Sequence, residues 1–289
     1  MLLGLCAALG AALAFGVASI LQARAAAETV GGRSQRRVDP RLLVRLVRRP
    51  SFLVAVALNL VGFALHLIAL RALPLFLVQV AIAASVAVTA ILAVVVLRVR
   101  LGVAGWAAVG AVCAGLALVA GSAGPAGENR GGAGVRSIIL IAVVGVAAAG
   151  VLVARVSGSA GVVLLGLVAG LGFGLVSLAA RVLPSLDVGA VLADGATYAL
   201  VAAGGIAFLL YVTALQRGSV TTVTSAMVLT QTVAPALVGV VLLGDQVRAG
   251  WVPLALIGLV LALAGTSALA RFEVLPVAAG PFPTDPQRG

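Results

Sequence analysis

The chain has 289 residues, 63% of them hydrophobic and 9% charged, with a mean hydropathy of +1.26 and a net charge of +11. Soluble domains are about half apolar and a quarter charged, so a cytosolic enzyme, a disordered chain and a secreted disulfide scaffold are excluded, and a lipid bilayer is the solvent that suits this composition. The charge does not indicate nucleic acid either: all 19 basic residues are Arg, eight of them lie between Arg24 and Arg49 in a gap between apolar runs, and no aromatic side chains interleave with them.

A spanning helix needs about 20 apolar residues. Nine runs qualify: 2–21, 52–70, 74–97, 103–121, 137–154, 161–180, 196–215, 219–243 and 251–270. They are continuous rather than alternating, so they read as helices and not as barrel strands. The expected fold class is therefore an all-α integral membrane protein with about nine transmembrane helices.

The first run resembles a signal peptide, with Ala23-Arg24-Ala25 imitating a cleavage site. It lacks a basic leader, and cleavage would export eight Arg just downstream, so it is expected to stay as a helix. Gly16 is expected to serve close helix packing and Ser19 to hydrogen-bond at the contact. The basic loop 22–51 follows. The second run carries Asn59 and His66, seven residues apart and on one face. His66 is the single His of the chain, a natural switchable proton carrier, although a neutral His satisfied by a carbonyl is the commoner case. The third run holds Gln79 on a stripe with Phe76, Ala83, Val86 and Ala90, and Ser85 and Thr89 on an adjacent face. The fourth run contains Cys113, which like Cys6 is read as a small apolar residue.

The fifth run, 137–154, is the shortest. The sixth holds Gly174 and Ser177, read as the packing mates of Gly16 and Ser19. The seventh carries Tyr211. The eighth is the most polar: Thr221, Thr224, Gln231 and Pro235 recur at i, i+3, i+10 and i+14 and so share a face. That stripe either lines a cavity or bonds a neighbouring helix; Gln231 cannot satisfy itself as Thr can, which favours a cavity. Pro235 interrupts its helix and can support a hinge. The segment 271–289 contains four Pro and is expected to be a disordered tail.

The Arg distribution orients the chain. With the 22–51 loop in the cytoplasm, 14 Arg fall inside and five (Arg71, Arg130, Arg136, Arg181, Arg248) outside, which puts the amino terminus outside and the carboxy terminus in the cytoplasm.

A shift of 145 residues aligns the two halves without a gap. Trp106 falls on Trp251, Phe63 on Phe208, Leu65 on Leu210, Ala69-Leu70 on Ala214-Leu215 and Val95-Val96-Leu97 on Val240-Val241-Leu242. Over 58–121 there are 17 identities in 64 positions, about twice what so biased a composition gives by chance. At a shift of 158, Leu13-Ala-Phe15-Gly16-Val-Ala-Ser19 matches Leu171-Gly-Phe173-Gly174-Leu-Val-Ser177. Equivalent helices are five spans apart, an odd number, so the second repeat is expected upside down. The expected organisation is a first repeat (1–121), a linker and connector helix (122–156), a second, inverted repeat (157–270) and the tail, in a 4+1+4 arrangement. His66 and Tyr211 are repeat mates, as are Gln79 and Thr224. Inverted repeats characterise many alternating-access transporters, with substrate near the midplane; a channel or scaffold built by duplication is the plainer alternative.

These segments resemble the drug/metabolite transporter superfamily with its paired EamA-like halves. The resemblance is carried by the two FG-xx-S segments, by Ala69-Leu70 and Ala214-Leu215, and by a long helix holding Pro235 that ends at Gly244-Asp245, where the family often has Gly-Glu. The basic first loop and the segment Leu77 to Val86 are closest to the NIPA-like branch, which implies magnesium transport. Leu58 precedes Asn59 where that branch commonly has Gly-Glu, and the usual ten-helix layout is short by one span. No Asp or Glu is central to a span, and magnesium sites usually use carboxylates. No P-loop, Ser-His-Asp set or metal-ligand spacing is present.

The expectation is accordingly a secondary transporter of a small solute in a bacterial inner (plasma) membrane, not an enzyme, with no cofactor, no metal site and no nucleic-acid partner. Asn59, His66, Gln79, Ser85, Thr89, Tyr211, Thr221, Thr224 and Gln231 are the candidate cavity residues, with Gly16, Ser19, Gly174, Ser177 and Pro235 as hinge or packing positions. A coupling proton or cation and a homodimer remain open, as do two alternatives: a NIPA-like divalent-cation transporter and a non-transporting membrane scaffold.

Overall fold

The computed structural model describes residues 2–29, 50–97, 101–127, 133–183, 189, 194–218 and 220–271. Residues 30–49, Arg98, Arg100, Arg130 and the carboxy-terminal tail from 272 lie outside them; the first part of the expected basic loop, 22–29, instead continues the first helix, and the second helix begins at Pro50. Among the described residues ten helical elements follow in order: α1 (Leu2–Thr29), α2 (Pro50–Ala72), α3 (Leu75–Ala83), α4 (Ser85–Leu97), α5 (Val103–Ser122), α6 (Ala133–Val153), α7 (Gly158–Val182), α8 (Gly195–Arg217), α9 (Val220–Val241) and α10 (Val252–Leu269). Among the described residues nine spans are long and apolar enough to cross a membrane, α3 and α4 together making the third. The short fifth run becomes a helix of 21 residues. The described residues are thus helical apart from short connections, and compatible with a multi-pass membrane protein.

The surface matches a bilayer rather than water. Leu2, Leu60, Ile141, Val144, Leu209 and Val260 are each more than 60% exposed, on a scale of apolar exposure that soluble monomers avoid. Small residues take much of the interior, Ala8, Ala11, Ala18, Ala55, Ala69 and Ala207 being fully buried alongside leucines such as Leu70 and Leu77. Lipid tails give helices no hydrophobic reason to associate, so close van der Waals approach has to supply the attraction.

Glycine contacts fix the pairing. On α5 a Cβ at Gly115 would lie 2.5 Å from the carbonyl oxygen of Gly258, and on α10 one at Gly265 would lie 2.7 Å from that of Ala108, so α5 and α10 run antiparallel with backbones touching. On α7, Gly166 meets Ala226, Gly170 meets Thr230 and Gly174 meets Pro235, so α7 and α9 run parallel along a ladder of glycines four residues apart. Gly16 packs α1 against Val88 of α4. The packing expected of Gly16 and Gly174 is therefore present, but each serves a contact with the third or eighth span; α1 and α7 do not touch. Ser19 is exposed and donates to the carbonyl of Phe15 on its own helix (2.9 Å), so it makes no interhelical bond there.

The third run, expected as one helix, has a turn at Ala84 between α3 and α4, across which the Ala84 N–H still bonds the Val80 carbonyl and its own carbonyl accepts from Ala87 and Val88. α3 packs against α9, whereas α4 packs against α1.

Candidate functional site

The ends of α2, α5, α7 and α9 and the start of α3 meet at one end of the bundle. Chain alternation puts the starts of α1, α6, α8 and α10 there too. Beneath this end, a cavity of about 120 Å³ is lined by His66, Gln79, Ser177 and Gln231 together with Phe15, Phe63 and Phe173. Counting about 1.5 Å per residue, Gln79 lies about 6 Å below the start of α3, His66 about 9 Å below the end of α2 and Gln231 about 15 Å below the end of α9. The cavity is thus displaced from the centre of the bundle towards this end.

Its polar groups are incompletely paired. His66 is 5% exposed and Gln79 2%. His66 Nε2 lies 3.4 Å from Ser177 Oγ, a long contact, and the His66 Nδ1 and Gln79 Nε2 atoms are buried without any hydrogen-bond partner among the described residues. An unpaired polar atom in hydrocarbon costs several kcal/mol. Each of these side chains is therefore suited to a hydrogen-bonding guest, whether water or solute. The Phe63 ring flanks His66 at 6.3 Å between centroids.

The remaining candidates lie elsewhere. Tyr211, which the sequence alignment of the two halves pairs with His66, does not line this cavity; its hydroxyl is 3.2 Å from that of Thr224, so these two residues satisfy each other. Thr89 donates to the carbonyl of Ser85 one turn back (3.0 Å), with the Gly16 carbonyl at 3.5 Å. Ser85 supplies only backbone to that contact. Asn59 is half-buried on α2 and does not line the cavity. Thr221 is on α9, but its side chain lies outside the described residues. Pro235 sits inside α9 with its ring 3.0 Å from where a Cβ of Gly174 would be, so the helix interruption coincides with the α7–α9 contact. Ser177, read as a packing residue, belongs to the cavity. Its position five residues from the end of α7 gave no sign of this, because both faces of that helix are apolar.

One arrangement at this end had no expectation attached. Arg181, read as the start of a loop, is in the last turn of α7 and 4% exposed. Its Nη1 donates to the carbonyl of Leu73 (3.2 Å), and its Nη2 to the carbonyl of Gly127 (3.2 Å) and to Asp245 Oδ1 (3.3 Å). Asp245 accepts from the N–H of Gly127 on Oδ1 (2.8 Å) and from that of Leu75 on Oδ2 (2.5 Å). Gly244, at φ +76°, turns the chain into this position, a backbone conformation that favours glycine. At the same end Arg71 donates to the carbonyl of Leu183 (3.0 Å), and residues 122–125 pair with 246–248 through backbone bonds around an antiparallel bridge between Ala123 and Val247. The sequence signal was present as Gly244-Asp245, but the partner lies 64 residues away.

A larger cleft of about 700 Å³ opens at the opposite end, lined by Ser157, Ser159, Arg217 and Thr222 among others. Arg217 already donates to the carbonyl of Ala154 (2.7 Å), and none of the buried polar side-chain atoms without a partner lies in this lining. The smaller cavity, with its buried unpaired groups, is the better candidate. No family model matches the chain, and no curated protein or solved structure matches it either.

Proposed function

We propose that the chain is a secondary transporter that moves a small, uncharged or weakly charged organic solute by alternating access between two inverted repeats of four helices. The observation that carries this reading is the pair of buried, unpartnered atoms, His66 Nδ1 and Gln79 Nε2, at one cavity that Gln231 and Ser177 also reach. The lining offers amide, imidazole, hydroxyl and aromatic groups, which recognise neutral solutes; a magnesium site would ask for carboxylates.

The inverted arrangement is supported by matched contacts. The residues equivalent at a shift of 158, Gly16 and Gly174, pack the first span on the third and the sixth on the eighth. Ala8, Ala12 and Gly16 correspond in the same shift to Gly166, Gly170 and Gly174, so both helices carry small residues four apart. α5 and α10, the fourth and ninth spans, run antiparallel, as equivalent helices of inverted repeats must. With the Arg-rich loop in the cytoplasm, the Arg181–Asp245 end faces outward in a bacterial inner membrane.

The experiment is solute counterflow in proteoliposomes across a panel of neutral and weakly charged metabolites. Saturable uptake that falls about ten-fold in Gln79→Leu and Gln231→Leu, the equivalent of losing one buried hydrogen bond, supports the reading. Uptake that is saturable yet indifferent to both changes, or no saturable uptake of any solute, removes it.

A further inference from the structure

We propose that Arg181 and Asp245 form the gate that closes the cavity on its nearer side, and that this end opens only when their ion pair separates. The proposal rests on the transporter reading above.

Three observations carry it. The first is connectivity. Arg181 and Asp245 lie on one side of the connector helix α6 in sequence, and the atoms they hold, the Leu73 carbonyl, the Leu75 N–H and both backbone groups of Gly127, lie on the other. Two side chains thus join the ends of α2, α3, α5, α7 and α9. The second is position. Leu75 is four residues above Gln79 on α3, and Arg181 is four residues above Ser177 on α7, so the pair sits about one helical turn over the cavity. Leu70, Leu73 and Leu75, all fully buried, fill the space beside it. A solute leaving towards this end would pass beside this layer.

The third is chemistry. A contact that must form and break in each cycle has to be tolerable in both states. Here the closed state gives every charge a partner: Arg181 has three acceptors and Asp245 three donors. In an open state, water reaches both groups and restores the hydration they lost on burial. A purely apolar seal has no such compensation when wetted. The proline of α9 lies below this layer, on the eighth span, where the helix end can tilt without unfolding its lower half.

The test uses the full chain in lipid vesicles with Cys6→Ser and Cys113→Ser, and with Ile82→Cys as a reporter in the cavity wall. Ala249→Cys, exposed at the same end, identifies in a separate preparation the vesicle face that this end presents. A membrane-impermeant maleimide is applied to that face, and modification of position 82 is read by peptide mass. Asp245→Asn is expected to speed labelling about ten-fold or more by shifting the population towards the open form. Should that variant not fold, Ala123→Cys with Val247→Cys tests the same idea with the charges intact. These residues face each other as a non-hydrogen-bonded antiparallel pair, the geometry a disulfide accepts. Oxidation is expected to slow labelling about ten-fold and a reductant to restore it. Labelling unchanged by the Asn variant and by the disulfide would overturn the gate, and leave the ion pair as a structural staple whose loss lowers only thermal stability. Labelling that responds while no solute flux is found keeps the gate and removes the carrier reading; flux with unresponsive labelling does the reverse.

Discussion

Substituting Gly115 by Ala adds one methyl group where α5 meets α10. That methyl would lie 2.5 Å from the Gly258 carbonyl oxygen, 2.6 Å from the Ala262 nitrogen and 2.9 Å from the Ala262 Cβ. The first two are backbone atoms, so no rotamer change relieves the contact. Ordinary contact begins near 3.4 Å, so the helices must part by about 0.9 Å, the difference between 3.4 and 2.5 Å. A gap of that size forfeits roughly a quarter to a half of the dispersion energy between facing atoms. Overpacking of this kind costs about 1–3 kcal/mol. Gly110, on the same helix, has nothing within 4 Å of where its Cβ would be; there Ala removes only the backbone entropy cost of Gly and is expected to stabilise by roughly 0.5–1 kcal/mol. The assay is thermal unfolding in one detergent or nanodisc, followed by loss of the monodisperse peak. Opposite signs for Gly115→Ala and Gly110→Ala are expected. Equal shifts for the two would refute backbone contact as the force joining α5 and α10.

Removing Arg181 with Met leaves Asp245 buried beside two N–H donors and no cation, which is expected to cost about 3–5 kcal/mol; chemical denaturation of the purified protein measures it. Tyr211→Phe deletes the hydroxyl that meets Thr224 and should cost about 1 kcal/mol, while the KM for any transported solute stays at the wild-type value because the ring is outside the cavity. Thr89→Val removes a bond that Thr89 makes chiefly to its own helix, so stability should change by less than about 0.5 kcal/mol; a drop of several kcal/mol would mean that the Gly16 carbonyl is the partner that matters.

How far the candidate site was legible differs residue by residue. Gln79 and Gln231 could be singled out because an amide in hydrocarbon has no cheap local partner, and both reach the cavity. His66 could be singled out for the same reason. Tyr211 was placed beside His66 by the sequence repeat alone, and in the structure its hydroxyl meets Thr224 instead of the cavity. Ser177 and Arg181 are four residues apart on one helix, and neither the cavity role of the first nor the burial of the second could be read from their surroundings in sequence.

The apolar runs by themselves predicted helices, and nine helices long and apolar enough to cross a membrane are found among the described residues, because in hydrocarbon a backbone segment of about 20 residues can satisfy its own N–H and C=O groups only as a helix. They could not determine how each helix is rotated about its axis. A helix in water declares its inner face by its apolar stripe, whereas these helices are apolar on the lipid side and the interior side alike. That rotation, and with it the Arg181–Asp245 pair, the glycine ladder of α7 and the cavity shared by His66, Gln79, Ser177 and Gln231, was decided by which small residues let two backbones touch.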